Sequence, residues 1–66
     1  MRLHLNGQAT ELPSGLTARA LLERLELLGA RVAMEVNGEI LPRSTHAAHE
    51  LRDGDKVEIV HAIGGG

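Results

Sequence analysis

The last three residues, Gly64, Gly65 and Gly66, are the part of the sequence that could do chemistry. They directly follow a strand-like segment, although glycine neither packs in a sheet nor stabilises it. Three glycines form a thin thread that can enter a narrow active site from which any Cβ would be excluded. The α-carboxylate of Gly66 would then be the group on which another enzyme acts. A frayed terminus without function is the alternative.

The composition favours a small carrier or binding module over an enzyme, and we expect no catalytic residue. A chain of 66 residues makes one domain with little room for a pocket and a catalytic constellation. Cysteine and aromatic residues are absent, which excludes disulfides and thiolate metal sites. The net charge is −2 without a basic stripe, so we expect no nucleic-acid partner. We also expect a cytoplasmic protein without a membrane span or signal peptide.

Hydrophobic periodicity predicts one helix among five short strands. Thr17 is a good N-cap for the helix, and Gly29 occupies the position of a left-handed residue that ends it. Apolar residues recur between them at helical spacing and form one face. Asn-Gly pairs at 6–7 and 37–38 predict tight hairpin turns. The helical face comprises Ala18, Leu21, Leu22, Leu25 and Leu28, and the predicted strands cover residues 2–5, 8–12, 32–36, 39–41 and 56–63.

The order strand, strand, helix, strand, strand, strand predicts an α+β architecture. One helix can cover only one face of one sheet, and Val57 and Ile59 should point toward it. A hairpin followed by a crossover helix places the last strand parallel to the first, in the centre of a mixed sheet. This is the β-grasp, or ubiquitin-like, fold, with about five strands and one main helix packed on one face. We assign residues 1–63 to this domain and residues 64–66 to a flexible C-terminal glycine tail, and we expect one helical turn over 45–49.

An apolar patch is predicted beside the tail. Val60 and Ala62 alternate out of phase with the inward-facing residues of the last strand. If the sheet face opposite the helix is exposed, these two residues form a patch together with Ile63 next to the glycines. We interpret this patch as a docking surface for partner enzymes. Isolated exposed apolar residues without function are the alternative.

The four histidines are weak candidates for a metal site. His46 and His49 could share one helical face, but a structural zinc site needs four ligands. His4 and His61 lie on the first and last strands, which we expect to pair. Exposed strand and loop histidines are the better interpretation, and we predict no metal site.

Charged residues near the predicted turns leave two hypotheses open. Asp53, Asp55 and Glu58 could bind a cation or attract a basic partner, but turn geometry explains the Asp-Gly-Asp sequence more simply. The run of oxygen ligands that a calcium loop requires is missing. Arg43, next to Pro42, is either a contact for a partner or a solvated surface charge.

Motifs along the whole chain resemble the small, ubiquitin-like sulfur carriers of thiamine biosynthesis. The more specific of them are Pro-Arg-Ser at 42–44 and the ending Val-Glu-Ile-Val-His-Ala-Ile-Gly-Gly-Gly at 57–66. A terminal Gly-Gly alone is shared with ubiquitin-like proteins and with the molybdopterin sulfur carrier. The segments that carry the resemblance are residues 6–7, 12–17, 20–22, 36–44 and 53–66.

The resemblance implies a two-step reaction at Gly66 that partner enzymes carry out. An adenylyltransferase related to ubiquitin-activating enzymes would use ATP and Mg²⁺ to join AMP to the carboxylate. Sulfur from a persulfide would displace AMP and leave a thiocarboxylate, from which thiazole synthase would take the sulfur. The chain itself would bind no cofactor. The alternatives are a sulfur carrier for molybdopterin or another pathway, a ubiquitin-like modifier, and a plain interaction module.

Overall fold

A computed structural model describes residues 1–61 of the chain. Five strands form one sheet, and an α-helix packs on one of its faces. The predicted continuation of the last strand to residue 63 lies outside the described residues. The elements are β1 (Arg2–Leu5), β2 (Gln8–Glu11), α1 (Ala18–Arg24), β3 (Val32–Val36), β4 (Glu39–Leu41), a 3₁₀ helix (Arg43–Thr45) and β5 (Lys56–His61).

The strand order across the sheet is β2-β1-β5-β3-β4. β1 and β5 run parallel, whereas the other neighbouring strands run antiparallel. The last strand therefore lies beside the first in the centre of a mixed sheet, as the sequence predicts. β2 lies at one edge of the sheet and β4 at the other.

Both predicted hairpin turns are confirmed by their backbone angles. Asn6 has a φ of 49° and Asn37 a φ of 54°, and each is followed by a glycine with a positive φ. Positive φ at both central residues is typical of the type I′ turn, whose twist matches that of the flanking strands. Asn-Gly suits this turn because both residues tolerate the left-handed region.

The core lies between α1 and the inner face of the sheet. Leu3, Leu21, Met34 and Val57 are its largest fully buried side chains. Every second residue of β3 is buried, and Val57 and Ile59 of β5 face the helix as predicted. The buried apolar residues are Leu3, Ala18, Leu21, Leu22, Val32, Met34, Val36, Leu51, Val57 and Ile59.

The start of α1 is also as predicted. Thr17 has extended backbone angles, and its Oγ1 accepts a hydrogen bond from the backbone N–H of Ala20 at 3.1 Å. This bond satisfies one of the N–H groups that lack a partner in the first helical turn. Leu16, just before the cap, packs against the core that contains Leu21.

The helix ends earlier than the apolar pattern predicts, at Arg24. Glu26, and not Gly29, is the left-handed residue that ends it, with a φ of 58°. The N–H of Glu26 donates to the carbonyl of Glu23 at 3.0 Å, and that of Leu27 donates to the carbonyl of Leu22 at 2.8 Å. These two bonds make a Schellman motif, which satisfies carbonyl groups at the helix end.

The early end of α1 corrects the predicted apolar face. Leu25 and Leu28 are exposed, the latter by 44%, and do not join the core. Leu27, which helical spacing places off the apolar face, packs against the core in their place. The left-handed residue therefore redirects the chain so that a different leucine is buried. Gly29, with a φ of 85°, belongs to the turn that leads into β3.

The segment between β4 and β5 contains the predicted helical turn. The N–H of His49 donates to the carbonyl of Thr45 at 2.9 Å, which closes one turn. The 3₁₀ helix Arg43–Thr45 directly precedes this turn. Among residues 1–61, no helix is long and apolar enough to cross a membrane.

Candidate functional site

The predicted reactive thread lies outside the described residues, together with two members of the predicted patch. These residues are Gly64, Gly65 and Gly66 of the thread and Ala62 and Ile63 of the patch. The structure does describe the strand that leads to them. β5 pairs with β3 over five residues, up to the pair of His61 with Val32.

Asn6 extends the pairing of β5 beyond the end of β1. Its backbone N–H donates to the carbonyl of Val57, and its Oδ1 accepts the N–H of Ile59 at 2.8 Å. The side chain thus supplies a hydrogen bond that β1, which ends at Leu5, does not supply. From the sequence, Asn6 is predicted only as a turn residue. The missed signal is that asparagine at a turn can also bind backbone groups.

Asn37 fastens the other hairpin turn to β5 in the same way. Its Oδ1 accepts the N–H of Lys56 at 2.9 Å, and its Nδ2 donates to Oδ1 of Asp55 at 3.0 Å. The other oxygen of Asp55 accepts the N–H of Arg52 at 2.8 Å. The two turns that follow β1 and β3 are therefore both tied to the strand that leads to the tail.

Asp53 and Asp55 have structural roles, as turn geometry predicts. Asp53 accepts the N–H of Arg2 at 2.6 Å, and Asp55 closes its own turn. Glu58 lies on β5 directly opposite Glu35 of β3, where two like charges face each other. Within residues 1–61, no cluster of three or more histidine, aspartate or glutamate side chains is arranged to hold a metal ion.

The sheet face opposite α1 carries exposed apolar residues, as predicted for Val60. Val60 is 47% exposed, and its cross-strand partner on the same face is Ala33. Ile40 of β4, 63% exposed, lies opposite Glu35 and therefore diagonal to Ala33. We call Val60, Ala33 and Ile40 the open-face patch. Ile40 was missed, although its alternation with the half-buried Leu41 could have indicated an outward side chain.

Pairing of the first and last strands does not bring their histidines together. His4 lies opposite Lys56 at the start of β5, whereas His61 is at its end. At the rise of a strand, this separates the two histidines by about 16 Å. Both are exposed, as predicted.

His46 corrects the prediction of exposed loop histidines, because it is only 6% exposed. Its Nε2 lies 3.0 Å from the carbonyl oxygen of Leu41, so this nitrogen carries the proton. The segment folds onto the start of α1, where Ala18 and Arg19 donate their N–H groups to the carbonyls of His49 and His46. His49 is half-buried for the same reason.

A cavity of about 310 Å³ lies beside the C-terminal end of α1. We call it the Arg43 cavity. Arg43 reaches across the segment before β3, where its Nη2 donates to the carbonyl of Ala30 at 3.4 Å. The sequence shows no basic stripe, but the fold brings two arginines, Arg19 and Arg43, to this cavity. The lining residues are Arg19, Leu22, Leu27, Leu28, Gly29, Ala30, Val32, Arg43, His46 and Ala47.

Residues 3–66 match the family model described as the ThiS family. The chain is 36% identical over 66 residues to the sulfur carrier protein ThiS of Escherichia coli, and the match covers 100% of both chains. It is 44% identical to the thiazole synthase of Paramagnetospirillum magneticum and spans only 20% of that protein's length. The thiazole synthase of Magnetococcus marinus is 39% identical, with the same 20% share.

The fold has a solved counterpart that covers the whole chain. The crystal structure of the thiamine biosynthesis protein ThiS from Geobacter metallireducens superposes with a TM-score of 0.87, at 36% identity and 100% coverage of both chains. The predicted β-grasp fold is therefore confirmed, and fold and relatives together define a small β-grasp protein that is similar to sulfur carriers. The chain belongs to the ThiS family.

Proposed function

We propose that this chain carries sulfur for the thiazole ring of thiamine as a thiocarboxylate on Gly66. The observation that carries this proposal is the full-length similarity to the Escherichia coli sulfur carrier protein, which reaches the terminal glycines. The chain has no cysteine in its 66 residues, so a carried sulfur needs another point of attachment. The α-carboxylate is the group whose chemistry suits that purpose.

The proposed reaction begins with activation, because a carboxylate repels nucleophiles. An oxygen of the Gly66 carboxylate attacks the α-phosphorus of ATP, and pyrophosphate leaves. The acyl-adenylate has lost the negative charge and carries AMP as a good leaving group. A persulfide sulfur attacks the acyl carbon and AMP departs, which leaves an acyl disulfide. A thiol cleaves its S–S bond, so that the thiocarboxylate remains on the chain and a disulfide is formed with the donor.

The partners follow from these steps. An adenylyltransferase related to ubiquitin-activating enzymes binds the ATP and Mg²⁺, and a persulfide held by a partner supplies the sulfur. Thiazole synthase takes the sulfur from the carrier, a role supported by thiazole synthases that contain a segment similar to this chain. The chain is then a co-substrate and not a catalyst, and the setting that we propose is the cytoplasm.

The apolar surface near the end of β5 supports the proposal that the domain docks on partner enzymes while the tail enters their active sites. In this proposal Gly64 and Gly65 pass through the narrow entrance of each active site, because they carry no Cβ. Val60, Ala62 and Ile63 form the docking surface at the base of the thread. The exposure of Val60 supports this assignment, and Ile40 extends the apolar surface across the sheet.

Intact-mass spectrometry tests the proposal. The chain is incubated with its adenylyltransferase, ATP, Mg²⁺ and a persulfide donor. We expect a gain of about 16 Da, the difference between sulfur and oxygen, that maps to the last residue. A chain that lacks Gly66 is the control and should gain no mass. An unchanged mass of the full chain, under conditions in which the adenylyltransferase is active, would contradict the proposal.

A further inference from the structure

The Arg43 cavity combines an apolar floor with a positively charged rim. Leu22 and Val32 are buried beneath it, whereas Arg19 and Arg43 are exposed at its border. In the part of the chain that the structure describes, its lining includes no carboxylate. The chain as a whole carries a net charge of −2, whereas the border of this cavity is positively charged. Such a cavity is complementary to an apolar side chain flanked by carboxylates.

The contact made by Arg43 leaves its guanidinium group able to bind an acid. Its Nη2 donates to the neutral carbonyl of Ala30 at 3.4 Å, which is a long hydrogen bond. A guanidinium has several further N–H donors and binds carboxylates through two parallel hydrogen bonds. The carbonyl therefore positions the arginine without neutralising it.

The cavity is exposed because α1 ends early. Glu26 turns the chain out of the helix, and Leu28 stands at the cavity wall with 44% of its surface exposed. A helix continued through Leu28, as its sequence pattern favours, would place this side chain on the predicted apolar face. The redirected segment instead supplies an apolar wall beside the two arginines.

The position of the cavity connects it to the tail. Val32 lines the cavity and is the cross-strand partner of His61, the last described residue. The chain therefore leaves the described domain next to the cavity on its way to Gly66. An enzyme that takes the tail must approach this end of the molecule.

We propose that the Arg43 cavity is a docking site for thiazole synthase, in which it receives an apolar side chain flanked by aspartate or glutamate. This inference rests on the proposed function. It gives the domain a second docking surface, on the helix side, besides the open-face patch on the opposite face of the sheet. It assigns a partner-binding role to Arg43. Thiazole synthase is the chosen partner because relatives with that name include a segment similar to this chain.

Titration calorimetry with the thiazole synthase of the same organism tests this assignment. We expect Arg43→Glu and Arg19→Glu each to raise the dissociation constant about tenfold, since each places a carboxylate against an acidic partner. The matched control is Arg52→Glu, which makes the same charge change at an exposed position outside the cavity. Its dissociation constant should change by less than about threefold, with weaker effects at high salt for all three variants.

Two results would overturn the docking site. One is equal weakening by Arg43→Glu and Arg52→Glu, which would indicate an effect of net charge alone. The other is an absence of measurable binding by the wild-type chain. The choice of partner would be contradicted if Arg43→Glu lost its binding to the adenylyltransferase but bound the synthase as tightly as the wild-type chain. The mass measurement judges the proposed function separately, since failure of docking leaves the sulfur gain of the wild-type chain intact.

Amide NMR spectra of the labelled chain give a second measurement. On addition of thiazole synthase, signals of Leu28, Ala30 and Ala47 should broaden more strongly in the wild-type chain than in Arg43→Glu. Broadening confined to Ile40 and Val60 of the open-face patch would overturn the inference. This measurement also shows whether the variants keep the fold, because their spectra without the synthase should superpose on that of the wild-type chain.

Discussion

The side-chain oxygen of Asn6 accepts a hydrogen bond from the backbone N–H of Ile59 at 2.8 Å, across 53 positions of the chain. Asn6 is also a turn residue, with a φ of 49°. One residue thus closes the first hairpin and secures the strand that precedes the tail. Its substitution should therefore act at two separable levels, the backbone angle and the acceptor.

We predict that Asn6→Gly lowers the free energy of unfolding by about 1 kcal/mol, because the angle remains accessible but the acceptor is lost. Asn6→Asp keeps both and should remain within about 0.5 kcal/mol of wild type. Urea unfolding measures the stability, and hydrogen exchange should show faster exchange of the Ile59 N–H in Asn6→Gly alone. Equal exchange rates in the two variants would show that the Asn6 acceptor does not protect this amide.

Glu26 offers a stabilising substitution. A residue with a Cβ in the left-handed region costs about 1–2 kcal/mol, whereas glycine tolerates it. Glycine loses more conformational entropy on folding than glutamate, which offsets part of this gain. We therefore expect Glu26→Gly to raise the free energy of unfolding by about 0.5–1 kcal/mol. Thermal unfolding would show this as a higher Tm.

Glu26→Ala is the matched control, because it removes the same charge and keeps the Cβ. A higher Tm in Glu26→Ala than in Glu26→Gly would refute the backbone explanation. The Tm of Glu26→Asn should lie between those of Glu26→Ala and Glu26→Gly, since asparagine enters the left-handed region more readily than alanine.

His46 should contribute more to stability than His49. His46→Ala leaves the Leu41 carbonyl without its partner and opens a hole in a buried region, so we expect a loss of about 2–3 kcal/mol. His49→Ala, at a half-buried position, should cost less than about 1 kcal/mol. Denaturant midpoints of the two variants compare them directly, and similar losses would contradict the structural role of His46.

Gly65 tests the thread without disturbing the domain. Under the proposed function, Gly65→Val should prevent adenylation, because the valine side chain would not fit the narrow entrance that we propose for the adenylyltransferase. The free energy of unfolding should stay within about 0.5 kcal/mol of wild type. Pyrophosphate release by the adenylyltransferase is the measurement, with Ala9→Val, at an exposed position of the edge strand β2, as a control substitution outside the tail. Normal release with Gly65→Val would exclude a tight passage for the thread.

Local patterns were sufficient to predict much of the fold. The alternation of valine and methionine with Ala33 and Glu35 predicts β3, and the two Asn-Gly pairs predict the turns. These features depend on neighbours in sequence, so they can be recognised in a single chain. The central position of β5 was predicted from the order of the elements, in which a hairpin is followed by a crossover helix and a second group of strands.

Features that depend on contacts between residues distant in sequence were not predicted. The end of α1 was misplaced because glycine was expected in the left-handed position, whereas Glu26 takes it and Leu27 packs into the core. The burial of His46 depends on carbonyl groups that meet α1 from another part of the chain. The Arg43 cavity likewise combines residues from α1, from the segment before β3 and from the segment after β4.

The central place of β5 has a mechanical consequence. A pull on the glycine thread is borne by a strand with a neighbour on each side, and both adjoining turns are anchored to it by asparagine side chains. The hydrogen bonds to both neighbouring strands share this force, whereas a force on an edge strand would act on the hydrogen bonds to a single neighbour. If the chain is the carrier that we propose, this arrangement protects its domain from unfolding when a partner enzyme releases the tail.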